Sequence, residues 1–145
     1  MEQPPVRFAD QKTIFVVDDD PIILGVVCAI LATDTHYDIV SATAGADALN
    51  QSINFKGDIH LLLSDFQMPE MTGVELATQM TVHRPELKVL LMSGFPGGML
   101  VLNEGWHFLA KPFVASQLRA LVTGLVFPDK PSKFSTSPPP PSTPT

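Results

Sequence analysis

Leu61-Leu62-Leu63-Ser64-Asp65-Phe66-Gln67-Met68-Pro69 joins an apolar run to a single carboxylate, with a proline four residues after it. An uninterrupted apolar run of this length reads as a strand buried on both faces, the kind found in parallel sheets. Asp65 then stands at the strand's C-terminal end. In open α/β sheets that edge is where ligands bind and where chemistry takes place. Whether Asp65 is a turn residue or a reactive group depends on what the other strands bring to the same edge.

Two more apolar runs end in the same way. Thr13-Ile14-Phe15-Val16-Val17 stops at Asp18-Asp19-Asp20, and Leu87 to Met92, apolar but for Lys88, stops at Ser93-Gly94. Tyr37 to Ala42 and Trp106 to Ala110 read as further strands, and the strand through Leu61 is expected over Asp58 to Ser64. Helices are expected over Ile22 to Leu31, Ala44 to about Gln51, Gly73 to His83 and Val114 to Val126, with one or two turns over Met99 to Glu104. Asp20 followed by Pro21 suits an N-cap and a first helical position. In the second helix Ala46 and Leu49 are the expected buried positions. In the last helix Leu118, Leu121, Val122 and Leu125 make one apolar face. Five strands alternating with five helices predict a doubly wound parallel α/β sheet with helices on both faces.

The chain's 145 residues, 45% of them hydrophobic, suffice for one compact domain. The folded domain is expected over residues 13–127, after a flexible N-terminus of residues 1–12. From Pro128 the chain is nearly all Pro, Ser, Thr and Lys, ending in Pro138-Pro139-Pro140-Pro141 and four more residues. That composition cannot bury a core and reads as a disordered tail, residues 128–145, with no output domain. A net charge of −6 argues against direct nucleic-acid binding, which wants a basic face. No run is long enough to cross a membrane and no signal peptide precedes the domain, so a cytoplasmic protein is expected. The lone Cys28 reads as a small buried hydrophobe, and His36, His60, His83 and His107 show no metal-ligand spacing.

On this frame Asp18, Asp19, Asp65, Ser93 and Lys111 all stand at C-terminal strand ends. Three carboxylates crowded together raise one another's pKa unless a counter-charge is present. A hard divalent cation such as Mg²⁺ prefers oxygen ligands and resolves the conflict, and Lys111 adds a second positive charge. A carboxylate beside a metal, a lysine and a hydroxyl suits phosphoryl transfer, which needs positioning and positive charge on the phosphoryl oxygens.

Val16-Val17-Asp18-Asp19-Asp20-Pro21, Ser64-Asp65-Phe66-Gln67-Met68-Pro69-Glu70-Met71-Thr72-Gly73, Met92-Ser93-Gly94 and Lys111-Pro112-Phe113 together resemble the receiver domain of two-component response regulators. The resemblance covers roughly residues 13 to 127. It implies the flavodoxin-like, CheY-like (βα)5 fold with strand order 2-1-3-4-5. It also implies roles: Asp65 as phosphoacceptor, to become an aspartyl phosphate; Asp19 as direct Mg²⁺ ligand; Asp18 as its partner through water. The backbone carbonyl of Gln67 completes the protein's share of the metal shell. Ser93 and Lys111 contact the phosphoryl group, and the bond before Pro112 is expected to be cis. Gln67 and Phe95 fall where hydrolysis is tuned, and Phe108 falls at the aromatic that swings inward when Ser93 moves. The implied partner is a histidine kinase or histidine phosphotransfer protein, with Mg²⁺ as cofactor. The domain would catalyse only its own phosphorylation and dephosphorylation.

The sequence also departs from the family. The segment between Ser93 and Lys111 is short and holds Pro96, Gly97, Gly98 and Gly105, so a short or irregular fourth helix is expected. Phe108 has no hydroxyl, so any switch there works by packing. Two other functions are compatible with the fold. One is a protein-interaction module that works without phosphorylation. The other is a hydrolase with an aspartyl-phosphate intermediate, which would want a second acid where Gln67 stands. A nucleotide site would want a glycine-rich loop after the first strand, where this chain has Asp18-Asp19-Asp20-Pro21.

Overall fold

The computed structural model describes residues 11–94 and 106–128. The elements in order are β1 (Lys12–Val17), α1 (Pro21–Leu31), β2 (Tyr37–Ala42), α2 (Gly45–Asn54), β3 (Leu61–Asp65), α3 (Gly73–His83), β4 (Lys88–Ser93), β5 (Trp106–Ala110) and α4 (Ala115–Val126). The expected turns over Met99 to Glu104, the tuning position Phe95, and nearly all of both terminal segments lie outside the described residues.

All five strands pair in parallel in the order β2-β1-β3-β4-β5. Their side chains alternate between two cores, as the pleat requires. Ile14, Val16, Leu61, Leu63, Leu90 and Met92 face α1 and α4, meeting Val27, Leu118 and Val122. Phe15, Val17, Leu62, Val89 and Leu91 face α2 and α3, meeting Ala48, Leu76 and Met80. Burying one such side chain stabilises the fold by about 1.5–3 kcal/mol, so the three central strands are its foundation. The strand order reverses between β1 and β3, which puts Asp18 and Asp65 on either side of the switch point.

Local chemistry starts the helices. The Asp20 carboxylate accepts from the Ile22 and Ile23 amides at 2.9 and 3.5 Å, with Pro21 in the first turn of α1. Thr72 and Glu75 form a reciprocal capping box on α3, at 3.1 and 3.0 Å. At the other end of α3, the Arg84 guanidinium donates to the carbonyls of Ser52, Phe55 and Gly57, tying that helix to the α2–β3 connection.

Two expectations shift. The ladder of β3 begins at Leu61 rather than Asp58, although His60 still bonds across to β1. In α2 the buried positions are Gly45, Ala48 and Ser52; Ala46 is exposed and Leu49 half-buried. The helix is turned so that its first residue, a glycine, packs inward against Met71. A glycine leaves no apolar mark in the sequence, so apolar spacing points to the wrong face of this helix.

His60 clips β1 to the approach to β3. The Thr13 amide donates to His60 Nδ1 at 3.0 Å, and the His60 amide donates to the Thr13 carbonyl at 2.9 Å. Nδ1 must therefore be unprotonated in the fold. Burial lowers the His60 pKa from 6.5, Lys12 lowers it further, and Asp58 opposes both. The unfolded chain takes up the proton at higher pH than the folded one. The stability His60 contributes is thus present above the unfolded pKa and lost as pH falls through the folded pKa. Urea unfolding should show wild type losing more stability between about pH 7 and pH 5 than His60→Asn, whose amide oxygen can accept the same bond without titrating. Identical pH slopes would rule the clip out.

Candidate functional site

Three strand ends and one loop build the site. Asp18 follows directly on β1. Its carboxylate is 1% exposed; one oxygen accepts from the Asp20 amide at 2.9 Å and the other from Lys111 Nζ at 3.4 Å. Asp65 ends β3 and accepts from the same ammonium at 2.9 Å. Ser93, buried, ends β4, and its carbonyl accepts from the Lys111 amide at 2.7 Å. That bond fixes Lys111 just beyond β5, where its side chain reaches back across the sheet edge. The Lys111–Pro112 peptide bond is cis, as expected.

Asp18, Asp19 and Asp65 each offer an oxygen within 4.8 Å of the others, with Asp18 buried, Asp65 half-buried and Asp19 exposed. Burial raises the Asp18 pKa and the Asp65 charge adds to it, while the Asp20 amide and Lys111 pull the other way. Burial works to lower the Lys111 pKa, but the bond to Asp65 and the two carboxylate charges outweigh it, and the net shift is upward. Lys111 is therefore held as a cation between carboxylates. The donors are all hard oxygens, one of them open to solvent, which suits a hydrated divalent cation such as Mg²⁺. Beside them a cavity of about 360 Å³ is lined by Asp65, Phe66, Gln67, Ser93, Gly94 and Lys111.

The sequence-based site residues thus converge. Asp18, Asp19, Asp65 and Lys111 form one charged cluster, and Gln67 and Ser93 line the adjoining cavity. Phe108 lies on β5, half-buried, with its ring centroid 6.1 Å from that of Phe66. Nothing in the local sequence marks Phe66 as a partner of Phe108, and the role of Gly73 is visible only in three dimensions. A Cβ at Gly73 would run into the Asp65 carbonyl oxygen, so only glycine lets α3 start this close to β3.

Residues 14–123 match the sequence profile described as the response regulator receiver domain. The chain belongs to this family. Among curated relatives, the receiver domain is 29% identical over 113 residues to the sensor kinase CckA of Brucella abortus, an alignment covering 75% of this chain and 12% of the kinase. It is 32% identical over 107 residues to the transcriptional regulatory protein NatR of Bacillus subtilis, covering 72% of this chain and 46% of NatR. The chain therefore spans less than half the length of either relative. Among solved structures, the response regulator protein TrrA from Thermotoga maritima, in complex with Mg²⁺–BeF, superposes with a TM-score of 0.70 at 26% identity, covering 79% of this chain and 99% of that one. Among the described residues, no helix is long and apolar enough to cross a membrane.

Lys111→Met leaves Asp18 and Asp65 facing each other without a counter-charge. Removing one partner of a buried pair costs about 3–5 kcal/mol, and the partial exposure here reduces that to about 1–3 kcal/mol. Urea unfolding at low ionic strength should show this loss, shrinking as salt is raised. A loss independent of salt would mean that the lysine acts through packing rather than charge.

Proposed function

We propose that this receiver domain accepts a phosphoryl group on Asp65 from a histidine kinase or histidine phosphotransfer protein, using Mg²⁺. The observation that carries the reading is Lys111 Nζ, 2.9 Å from Asp65 and 3.4 Å from Asp18, within a set of three carboxylates whose oxygens lie within 4.8 Å. A phosphoryl acceptor needs a nucleophile, fixed positive charge, and room for the incoming group. Asp65, Lys111 and the adjoining cavity supply these.

In the transfer, an Asp65 carboxylate oxygen forms a bond to phosphorus as the nitrogen–phosphorus bond of the donor phosphohistidine breaks. The leaving imidazole nitrogen keeps the bonding pair and takes up a proton. Lys111 moves its hydrogen bond from the carboxylate toward a phosphoryl oxygen, where negative charge now sits. The Ser93 hydroxyl donates to another. Asp19, Asp65 and the Gln67 carbonyl would hold the cation, with Asp18 acting through water. The bound cation would neutralise phosphoryl charge during transfer. Gln67 stands in the cavity where a second acid would be needed to drive rapid hydrolysis, which favours a phosphoryl group that persists as a signal. Phe108 against Phe66 offers a packing contact through which a change at Asp65 and Ser93 can reach β5.

Incubation with a small acyl phosphate and Mg²⁺, followed by intact mass, tests the reading. Wild type should gain the mass of one phosphoryl group, released by hydroxylamine. Asp65→Asn and a chelator-treated sample should gain none. An undiminished adduct on Asp65→Asn would move the acceptor elsewhere. No adduct on folded wild type would favour the phosphorylation-independent interaction module.

A further inference from the structure

The metal shell proposed above comes from two separate pieces of backbone. Asp18 and Asp19 follow β1, while Gln67 lies on the β3–α3 loop, residues 66–72. The β2–α2 junction touches both pieces. On one side the Ala42 carbonyl accepts from the Asp18 amide at 3.3 Å. On the other side Gly45, buried at the first turn of α2, packs on Met71: a Cβ there would stand 2.9 Å from the Met71 Cβ, 3.0 Å from its Sδ and 3.1 Å from its Cγ. Side-chain rotation can move Sδ and Cγ away, but the Met71 Cβ moves only with its backbone.

That backbone is closed on itself. The Met71 amide donates to the Pro69 carbonyl at 2.7 Å, and the Gly73 amide donates to the Phe66 carbonyl at 2.8 Å. Glu70 sits at φ 69°, in the left-handed region. At its start the loop is fixed to the sheet by the Phe66 amide, which donates to the Met92 carbonyl at 2.7 Å. Pushing Met71 outward therefore turns the loop about Phe66 and displaces Gln67 relative to Asp18, Asp19 and Asp65.

We infer that Gly45 is a positioning residue for the Mg²⁺ site: its missing side chain sets how closely the loop bearing Gln67 approaches the strand ends bearing the acid pair. The inference rests on the metal reading given above. Outer-shell substitutions typically cost 10–100-fold in metal affinity. Gly45→Ala should weaken Mg²⁺ binding by about tenfold, measured by isothermal titration calorimetry on the full chain well below the melting temperature. Far-UV circular dichroism melts, run in parallel, report folding separately. Met71→Gly removes the Cβ that Gly45 packs against without crowding the junction and should also weaken Mg²⁺, so it decides the matter if Gly45→Ala does not fold. Should wild type bind Mg²⁺ and the folded variants bind it equally well, with only the melts shifted, Gly45 is a packing residue and the inference fails. Should folded wild type bind no Mg²⁺, it is the metal reading that fails.

Discussion

The arrangement at the C-terminal edge of the sheet depends on one constraint: three carboxylates each bring an oxygen within 4.8 Å of the others, and among the described residues one ammonium, that of Lys111, bonds to two of them. Charges this crowded are stable in a fold only if rigid elements force them together and positive charge offsets part of the repulsion. The central strands β1, β3 and β4, apolar on both faces, supply the rigidity. Lys111 supplies the offset, and Ser93 holds Lys111 in place through its backbone. On the proposed function, the remaining negative charge is what would attract a cation and, beside it, an anionic group.

A second consequence concerns the loop after β3. Strand ends are fixed by ladder bonds, but a loop has none, so residues 66–72 are held by other means: a backbone bond to Met92, a turn closed at Pro69, a capping box at Thr72, and two close approaches at glycine. Both glycines are useful because a side chain is absent. Gly73 admits the Asp65 carbonyl and Gly45 admits Met71. Such contacts have no threshold of polarity or charge, and small volume changes at them are passed to the backbone because close-packed interiors have little slack.

This distinction explains what was legible in the sequence. The strand runs through Val16, Leu62 and Leu90 are apolar over Ile14–Val17, Leu61–Leu63 and Val89–Met92, and the polar residues that stop them mark their ends. The fold, the strand order and the convergence of Asp18, Asp65 and Lys111 could be read from that pattern together with the family resemblance. The face of α2 could not, because Gly45, Ala48 and Ser52 carry little hydrophobic signal and the bulkier Leu49 points partly outward. The apolar pattern overextends β3 at its start because Ile59 is buried without belonging to the ladder. The pairing of Phe66 with Phe108 is invisible in the sequence because a contact between a loop residue and the middle of β5 leaves no local spacing to find.

The opposite edge of the sheet shows the same residue types put to another use. Lys12, His60, Arg84 and Lys88 gather there, yet each is engaged with the fold itself. Lys88 donates to the Leu125 carbonyl at 2.6 Å, Arg84 donates to three carbonyls, His60 accepts from Thr13, and Lys12 lies over the Phe127 ring. Lys12, Arg84 and Lys88 answer backbone carbonyls and a ring face left open at element ends, and the neutral His60 answers an amide, so all four stabilise the ends. At the C-terminal edge, Lys111 answers carboxylates, which outnumber it. At one edge the cations are engaged one by one with backbone and ring, whereas at the other, among the described residues, Lys111 lies beside a cluster of three carboxylates.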